Sequence, residues 1–255
     1  MGRPWHLPAT GPAVLGTIPD YSDNIFRESM ASAVRPREEP KPATAPLYSI
    51  VLRLEGLPCL VVGGGPVAAR KAASLIQCGA RVTVVAPRLC AELEAMPVTK
   101  LARAYEPGEA AGYRLVITAT GRSEIDNAVF EDGEKAGVMV NAADNTKACR
   151  FFLPAVVRRG PVTVAVSTAG SSPYLATWLR HRISTTVGPE FAELATLLGG
   201  LRRAIKDAGC STEAADWASL LDEDLVAMLA SGHGEQAEDR ANAWLSKQLP
   251  PVERS

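Results

Sequence analysis

Residues 61–72 read VVGGGPVAARKA: an apolar run, three glycines in a row, then a stretch that favours a helix. No other part of the chain constrains the fold as tightly. Gly63-x-Gly65-x-x-Ala68 has the G-x-G-x-x-G/A spacing of a dinucleotide-binding turn. In such a turn the first glycine allows the sharp reversal and the second lets backbone approach a pyrophosphate. The third small residue lets the helix lie close on the strand. The anion then meets the free N–H groups and the positive end of the helix dipole. Gly63, Gly64, Gly65, Pro66 and Val67 are therefore candidate cofactor ligands.

The flanking residues supply the unit that such a turn needs. Cys59–Val62 reads as a buried strand, Val67–Cys78 as a helix with Gly79 at its end, and Arg81–Val85 as the next strand. An acidic residue about 20 positions on would hold a ribose hydroxyl. Here the second strand runs into Ala86-Pro87-Arg88 with no acid. Pro87 and Arg88 join the candidates, Arg88 as a phosphate contact, and the spacing leaves NAD or NADP open.

Strand and helix signals go on alternating. Leu47–Leu54 reads as a first strand, Val98–Ala104 as a weak one, and Arg114–Thr120 as a strong one. Glu124–Lys135 reads as a helix closed by Gly137, and Val138–Asn141 as a further strand. Alternating β and α units predict an α/β fold with a Rossmann-type parallel sheet, helices on both faces, over 47–149. Ligands bind such sheets off the carboxyl ends of the strands. That draws Thr118–Gly121, with Thr120 as a cofactor contact, and Asn141–Asp144 into the candidate site.

Beyond Asp144 the pattern changes. Val162–Ser167 alternates with period two, a half-buried strand after the Arg159-Gly160-Pro161 turn. Ser172-Pro173 starts a helix with serine as cap and proline in the first position. Another helix opens at Gly188-Pro189-Glu190 and runs to about Lys206, followed by weaker helical segments near 212–230 and 235–248. VTVAVS has no evident partner strand, so a strand-helix dimerisation region is expected over 150–186, then a helical C-terminal region over 187–255. Residues 1–46 hold eight prolines and little periodicity, which predicts a disordered leader, with Met30 an alternative start.

Charge sorts along the chain in a way its net of −1 conceals. Residues 47–206 carry 19 basic and 13 acidic side chains, a net of +6, whereas residues 207–255 carry 3 basic and 10 acidic. The positive middle suits anionic ligands without the density expected of a nucleic-acid binder. No apolar run reaches the roughly 20 residues of a membrane span. Five cysteines without a C-x-x-C pair read as reduced thiols of a cytoplasmic protein. Three scattered histidines predict no dedicated metal cage.

The motifs GGGPVAARKA, ITAT and NAADNTKACRFFLPAVVRRGPVTVAVSTAGSSPYLATWLR together resemble the precorrin-2 dehydrogenase family. That family includes the N-terminal module of siroheme synthase and a bifunctional relative that also inserts iron. The resemblance covers about 47–205 and is most specific over 141–182. It implies NAD-dependent oxidation of precorrin-2, an eight-carboxylate tetrapyrrole, to sirohydrochlorin, and a homodimer formed through the region after Asp144. It leaves iron insertion open. By this resemblance Asp144 of N-x-x-D is the catalytic residue, as general base or ring-orienting group. Ser167 and Thr168 match the polar pair lining the site. Asn141, Lys147, Arg150 and Ser172 are candidate substrate contacts. One departure is Gly121-Arg122, where the family often carries acids. No methyltransferase module follows within 255 residues, so precorrin-2 is expected from another polypeptide. Two other readings fit the turn alone: a regulatory module that senses NAD(P) without catalysis, and a different NAD(P) oxidoreductase acting on an anionic substrate.

Overall fold

The computed structural model describes residues 47–143 and 145–249. The expected leader, 1–46, and Asp144 both lie outside the described residues. Five strands make one parallel sheet: β1 (Pro58–Val62), β2 (Arg81–Val85), β3 (Thr99–Leu101), β4 (Leu115–Thr118) and β5 (Met139–Ala142), in the order β3-β2-β1-β4-β5. Helix α1 (Pro66–Gln77) links β1 to β2, the short α2 (Ala91–Ala95) leads to β3, and α3 (Ser123–Ala136) links β4 to β5.

The strands are apolar almost throughout because both faces are covered. One face of β1 and its neighbours, with Cys59, Val61, Val84 and Ile117, packs on Ala68, Ala72 and Leu75 of α1 and Leu93 of α2. The other, with Leu60, Val62, Val116 and Val140, packs on Val129 of α3. Each such fully buried aliphatic side chain contributes roughly 1.5–3 kcal/mol relative to exposure. The order in which successive strands are added reverses between β1 and β4, which creates a crevice at their carboxyl ends.

Residues 47–54 form no strand, contrary to the first strand expected over Leu47–Leu54, and Tyr48 and Val51 are each 91% exposed. A run of β-favouring apolar residues gives a segment strand character, but a strand also needs an edge to pair with. β1 already has partners on both sides, and only Leu54 packs against the core.

The second correction concerns VTVAVS. Its core, β7 (Val162–Val166), pairs antiparallel with β6 (Ala155–Arg159), from Ala155↔Val166 to Arg159↔Val162. Gly160, at φ +53, and Pro161 make the tight turn. β6 escapes the sequence pattern because AVVRR does not alternate cleanly. The hairpin packs on α4 (Pro173–Thr186) and α5 (Glu190–Asp207). α5 in turn packs with α6 (Glu223–Ala230) and α7 (Gly234–Gln248) around Leu201, Ile205, Leu225 and Trp244. The expected 212–230 helix is thus only α6, preceded by a single 3₁₀ turn, Trp217–Ser219. No helix among the described residues is long and apolar enough to cross a membrane.

Candidate functional site

The three glycines have three different neighbours. Gly63 sits at φ +127, and a side chain there would overlap the Ala119 carbonyl after β4. A side chain on Gly64 would overlap the Arg88 carbonyl after β2. At Gly65 no protein atom lies within 4 Å of where a Cβ would stand. The first two glycines therefore serve the fold, while the third keeps backbone accessible to a ligand. Hydrogen bonds hold the turn in place. Gly63 N–H donates to the Val85 carbonyl at 2.9 Å, Cys90 N–H to the Gly64 carbonyl at 2.8 Å and Ala119 N–H to the Val62 carbonyl at 2.8 Å.

Gly65 caps α1 and Pro66 opens it. No side chain caps the helix and no acid lies in its first turn. A helix start leaves its first N–H groups without intrahelical partners. Here these are Gly65, Val67 and Ala68, because proline has none. Open backbone, free donors and a positive dipole end fit the pyrophosphate of a dinucleotide. Pro66, Val67, Pro87 and Arg88 are exposed around this turn.

Val62, Thr118 and Ala142 are aligned across β1, β4 and β5. At about 4.8 Å per strand, Gly63 and Ala143 begin two loops on one rim roughly 10 Å apart. Ala143 N–H donates to the Thr118 carbonyl at 2.9 Å. Asp144 follows Ala143 in sequence.

The loop beyond is stitched to β5. Asn141, 6% exposed, donates from its amide to the Phe151 carbonyl at 2.8 Å and to Cys149 Sγ at 3.4 Å. Its amide holds the loop, an occupation different from the substrate contact expected of it. Cys149 Sγ in turn contacts the carbonyls of Ala142 and Asn145, both at 3.2 Å, and burial pushes its thiol up from the ordinary value. The Asn145 side chain accepts from Lys147 N–H at 3.1 Å, leaving the Lys147 side chain exposed. Arg150 makes a bidentate pair with Glu134 of α3 and lies 5.7 Å from the Phe130 ring centroid. The guanidinium holds the Glu134 carboxyl below the usual range. A substrate carboxylate would have to displace Glu134 to engage Arg150.

Ser167, Thr168 and Ser172 come together in the bend between β7 and α4. Thr168 Oγ1 donates to the Ser172 carbonyl at 3.0 Å and accepts from Ser172 N–H at 3.2 Å. Ser172 Oγ caps α4 by accepting from Leu175 N–H at 3.2 Å. Ser167 Oγ accepts from Ala169 N–H at 3.2 Å, and Ala169 takes a left-handed φ of +52. A non-glycine residue there is uncommon, so the bend is over-determined by its hydroxyl contacts. Among the described residues no group of three His, Cys, Asp or Glu side chains is placed to hold a metal ion.

The sequence reading missed Asp126. It lies on α3, 5% exposed, and its Oδ1 accepts hydrogen bonds from both Thr118 and Thr120. Thr120, expected to touch cofactor, spends its hydroxyl on this carboxylate. The signal was present: Asp126 precedes Val129 by three residues, which puts it on the buried face of the helix.

The fold, the glycine turn and the helix start define an NAD(P)-binding Rossmann protein. Residues 50–155 match the family model described as putative NAD(P)-binding, and residues 159–185 match that of the sirohaem biosynthesis protein central region. The siroheme synthase of Thioalkalivibrio sulfidiphilus (strain HL-EbGR7) is 38% identical over 208 residues, 79% of this chain and 42% of that protein. The siroheme synthase of Methylococcus capsulatus (strain ATCC 33009 / NCIMB 11132 / Bath) is 38% identical over 195 residues, 74% of this chain and 41% of that protein. The chain is similar to these siroheme synthases over about three quarters of its own length, and it spans less than half the length of these relatives. Among solved structures, SirC, a precorrin-2 dehydrogenase, shares the fold with a TM-score of 0.59 at 22% identity, covering 79% of this chain and 98% of that one.

Proposed function

We propose that this protein is a precorrin-2 dehydrogenase, oxidising precorrin-2 to sirohydrochlorin with NAD. One observation carries the reading. The ligand-accessible Gly65 turn and Ala143, the residue that precedes Asp144 in sequence, share the rim of one sheet, in a chain similar to siroheme synthases. When bound, NAD supplies the hydride acceptor. The chain's own residues do the rest. Gly65 and Val67 present N–H donors to the pyrophosphate. Asp144, next to Ala143 in sequence, takes the substrate proton or orients the ring. Lys147, with Arg88 and Arg122 exposed on other strand-end loops, suits a carboxylate-rich substrate.

The protein acts as a cytoplasmic homodimer in this reading. Both edges of the β6–β7 hairpin are unpaired among the described residues. Beside it Tyr174, Leu175 and Trp178 of α4 are exposed. A two-stranded sheet is marginal alone, and open edges with an apolar face invite a second copy. The five cysteines are all free thiols, as a reducing compartment requires.

Incubation with precorrin-2 and NAD tests the activity through the absorption of sirohydrochlorin. Asp144→Ala should lower turnover by about 10²–10⁴-fold, the usual value of a positioned acid or base, and leave NAD affinity unchanged. Asp144→Asn should match Ala if the carboxylate takes a proton, and retain turnover if it only accepts hydrogen bonds. Near-normal turnover of Asp144→Ala would remove the residue from the mechanism. A native chain that binds NAD but never converts precorrin-2 would favour the sensing module instead.

A further inference from the structure

We infer that Asp126 is a positioning residue for the dinucleotide turn: it gathers Thr118 and Thr120 onto one carboxylate oxygen and so fixes the loop after β4 as the wall behind Gly63. This rests on the reading of the Gly63–Gly65 turn as the NAD site.

Asp126 is 5% exposed, and a carboxylate so buried is rarely without a cation. Among the described residues it enters no ion pair; its acceptors are met by two neutral hydroxyls and by the favourable N-terminal turn of α3. Both hydroxyls address the same atom, Oδ1. Thr118 is the last residue of β4 and fully buried, so it is an immobile anchor. Thr120 belongs to the loop. Its oxygen accepts from Arg122 N–H at 3.1 Å, and its single proton has two acceptors in reach, Asp126 Oδ1 at 2.7 Å and the Arg122 carbonyl at 3.2 Å. The carboxylate is nearer and charged, so it takes the proton.

Between the two threonines lies Ala119. Its N–H is bound to the Val62 carbonyl, and its own carbonyl occupies the space a Gly63 side chain would need. Loop and turn are therefore in direct contact, and a shift of one opens the other. Asp126 touches neither cofactor nor substrate in this scheme. It acts through Ala119.

Because both bonds end on one oxygen, the negative charge is dispensable and an amide oxygen in the same place serves as well. That separates positioning from a generic effect of burial. In the full-length chain without NAD, amide hydrogen exchange at Ala119 and Gly63 should rise about tenfold in Asp126→Ala, the effect of one unmet buried hydrogen bond. Exchange at Val164, in the separate hairpin, should not change. NAD affinity by calorimetry should fall by about the same factor. Asp126→Asn should stay within about threefold of native in both readouts. Thr120→Val, which keeps the Thr118 bond, should raise exchange at Ala119 and, less, at Gly63, with Val164 unchanged, and it decides the matter if Asp126→Ala does not fold. Native exchange at Ala119 in Asp126→Ala or in Thr120→Val overturns the inference, as does a uniform rise that includes Val164, or an Asn variant as poor as Ala. Failure of the native chain to bind NAD would sink the cofactor reading instead, and leave the exchange results to judge the loop.

Discussion

Gly64 and Gly65 stand side by side and should respond oppositely to the same chemical change. A methyl group on Gly64 runs into the Arg88 backbone, which cannot swing aside as a flexible side chain would. Overpacking of this kind typically costs about 1–3 kcal/mol, so Gly64→Ala should melt several degrees below the native protein by calorimetric scan. At Gly65 the Cβ of a valine has no protein atom within 4 Å. Gly65→Val should melt like the native chain and lose NAD affinity by at least about tenfold in titration, because its side chain takes the approach of the pyrophosphate. A Gly65→Val protein with native NAD affinity would end the assignment of the turn. The spacing of the glycines was readable from the sequence, but their division of labour was not, since it depends on carbonyls 24 and 56 residues away in the chain. Asn141 teaches the same lesson from the other side. A polar residue at a strand end looks like a ligand, and only the Phe151 carbonyl shows that its amide is already taken.

Several elements were legible because their signals are local. Ser172-Pro173 announced α4, and the structure shows Ser172 as its cap. Ser172→Ala should therefore lower stability by about 1 kcal/mol, measured by denaturant melting. A second contact sets a pH dependence. Arg103, beyond β3, pairs with Glu109 in a 3₁₀ turn and holds that carboxyl below the usual range. The stability it brings is present above the unfolded carboxyl value and is lost as pH falls through the lower folded one. Comparison of native and Glu109→Gln melting should show their difference shrinking on acidification, and a constant difference would contradict the ion pair. Elements defined by their pairing rather than by their own pattern were harder to read. Residues 47–54 are rich in strand-favouring residues but pair with no strand, whereas β6 does not alternate and gains its identity from β7. Length was misjudged where a 3₁₀ turn interrupts the 212–230 segment: Trp217 there donates its indole N–H to the Thr212 carbonyl and packs on Trp244, a contact made across α6.

At the scale of the whole molecule, the exposed apolar side of α4 and the open hairpin should associate. Sedimentation at micromolar concentration should show twice the 27.0 kDa chain mass. Trp178→Asp should weaken that association by at least about 2 kcal/mol, the range of a central aromatic anchor. A native protein that sediments as a monomer would remove the dimer from the proposal. The strand order has a different consequence. β1 pairs with β4 through Cys59↔Leu115, so the central seam of the sheet joins residues 56 apart. The core of α5, α6 and α7, by contrast, is assembled from helices that follow one another closely. Loops that long close slowly, and local helical contacts form early. On a ribosome the chain must release β4 before β1 has its second neighbour, so Leu60 and Val61 wait half-covered through the synthesis of more than fifty residues. The stretch of the protein most vulnerable to aggregation is thus the nascent strand that leads into the glycine turn, and its hazard is greatest in time rather than in space.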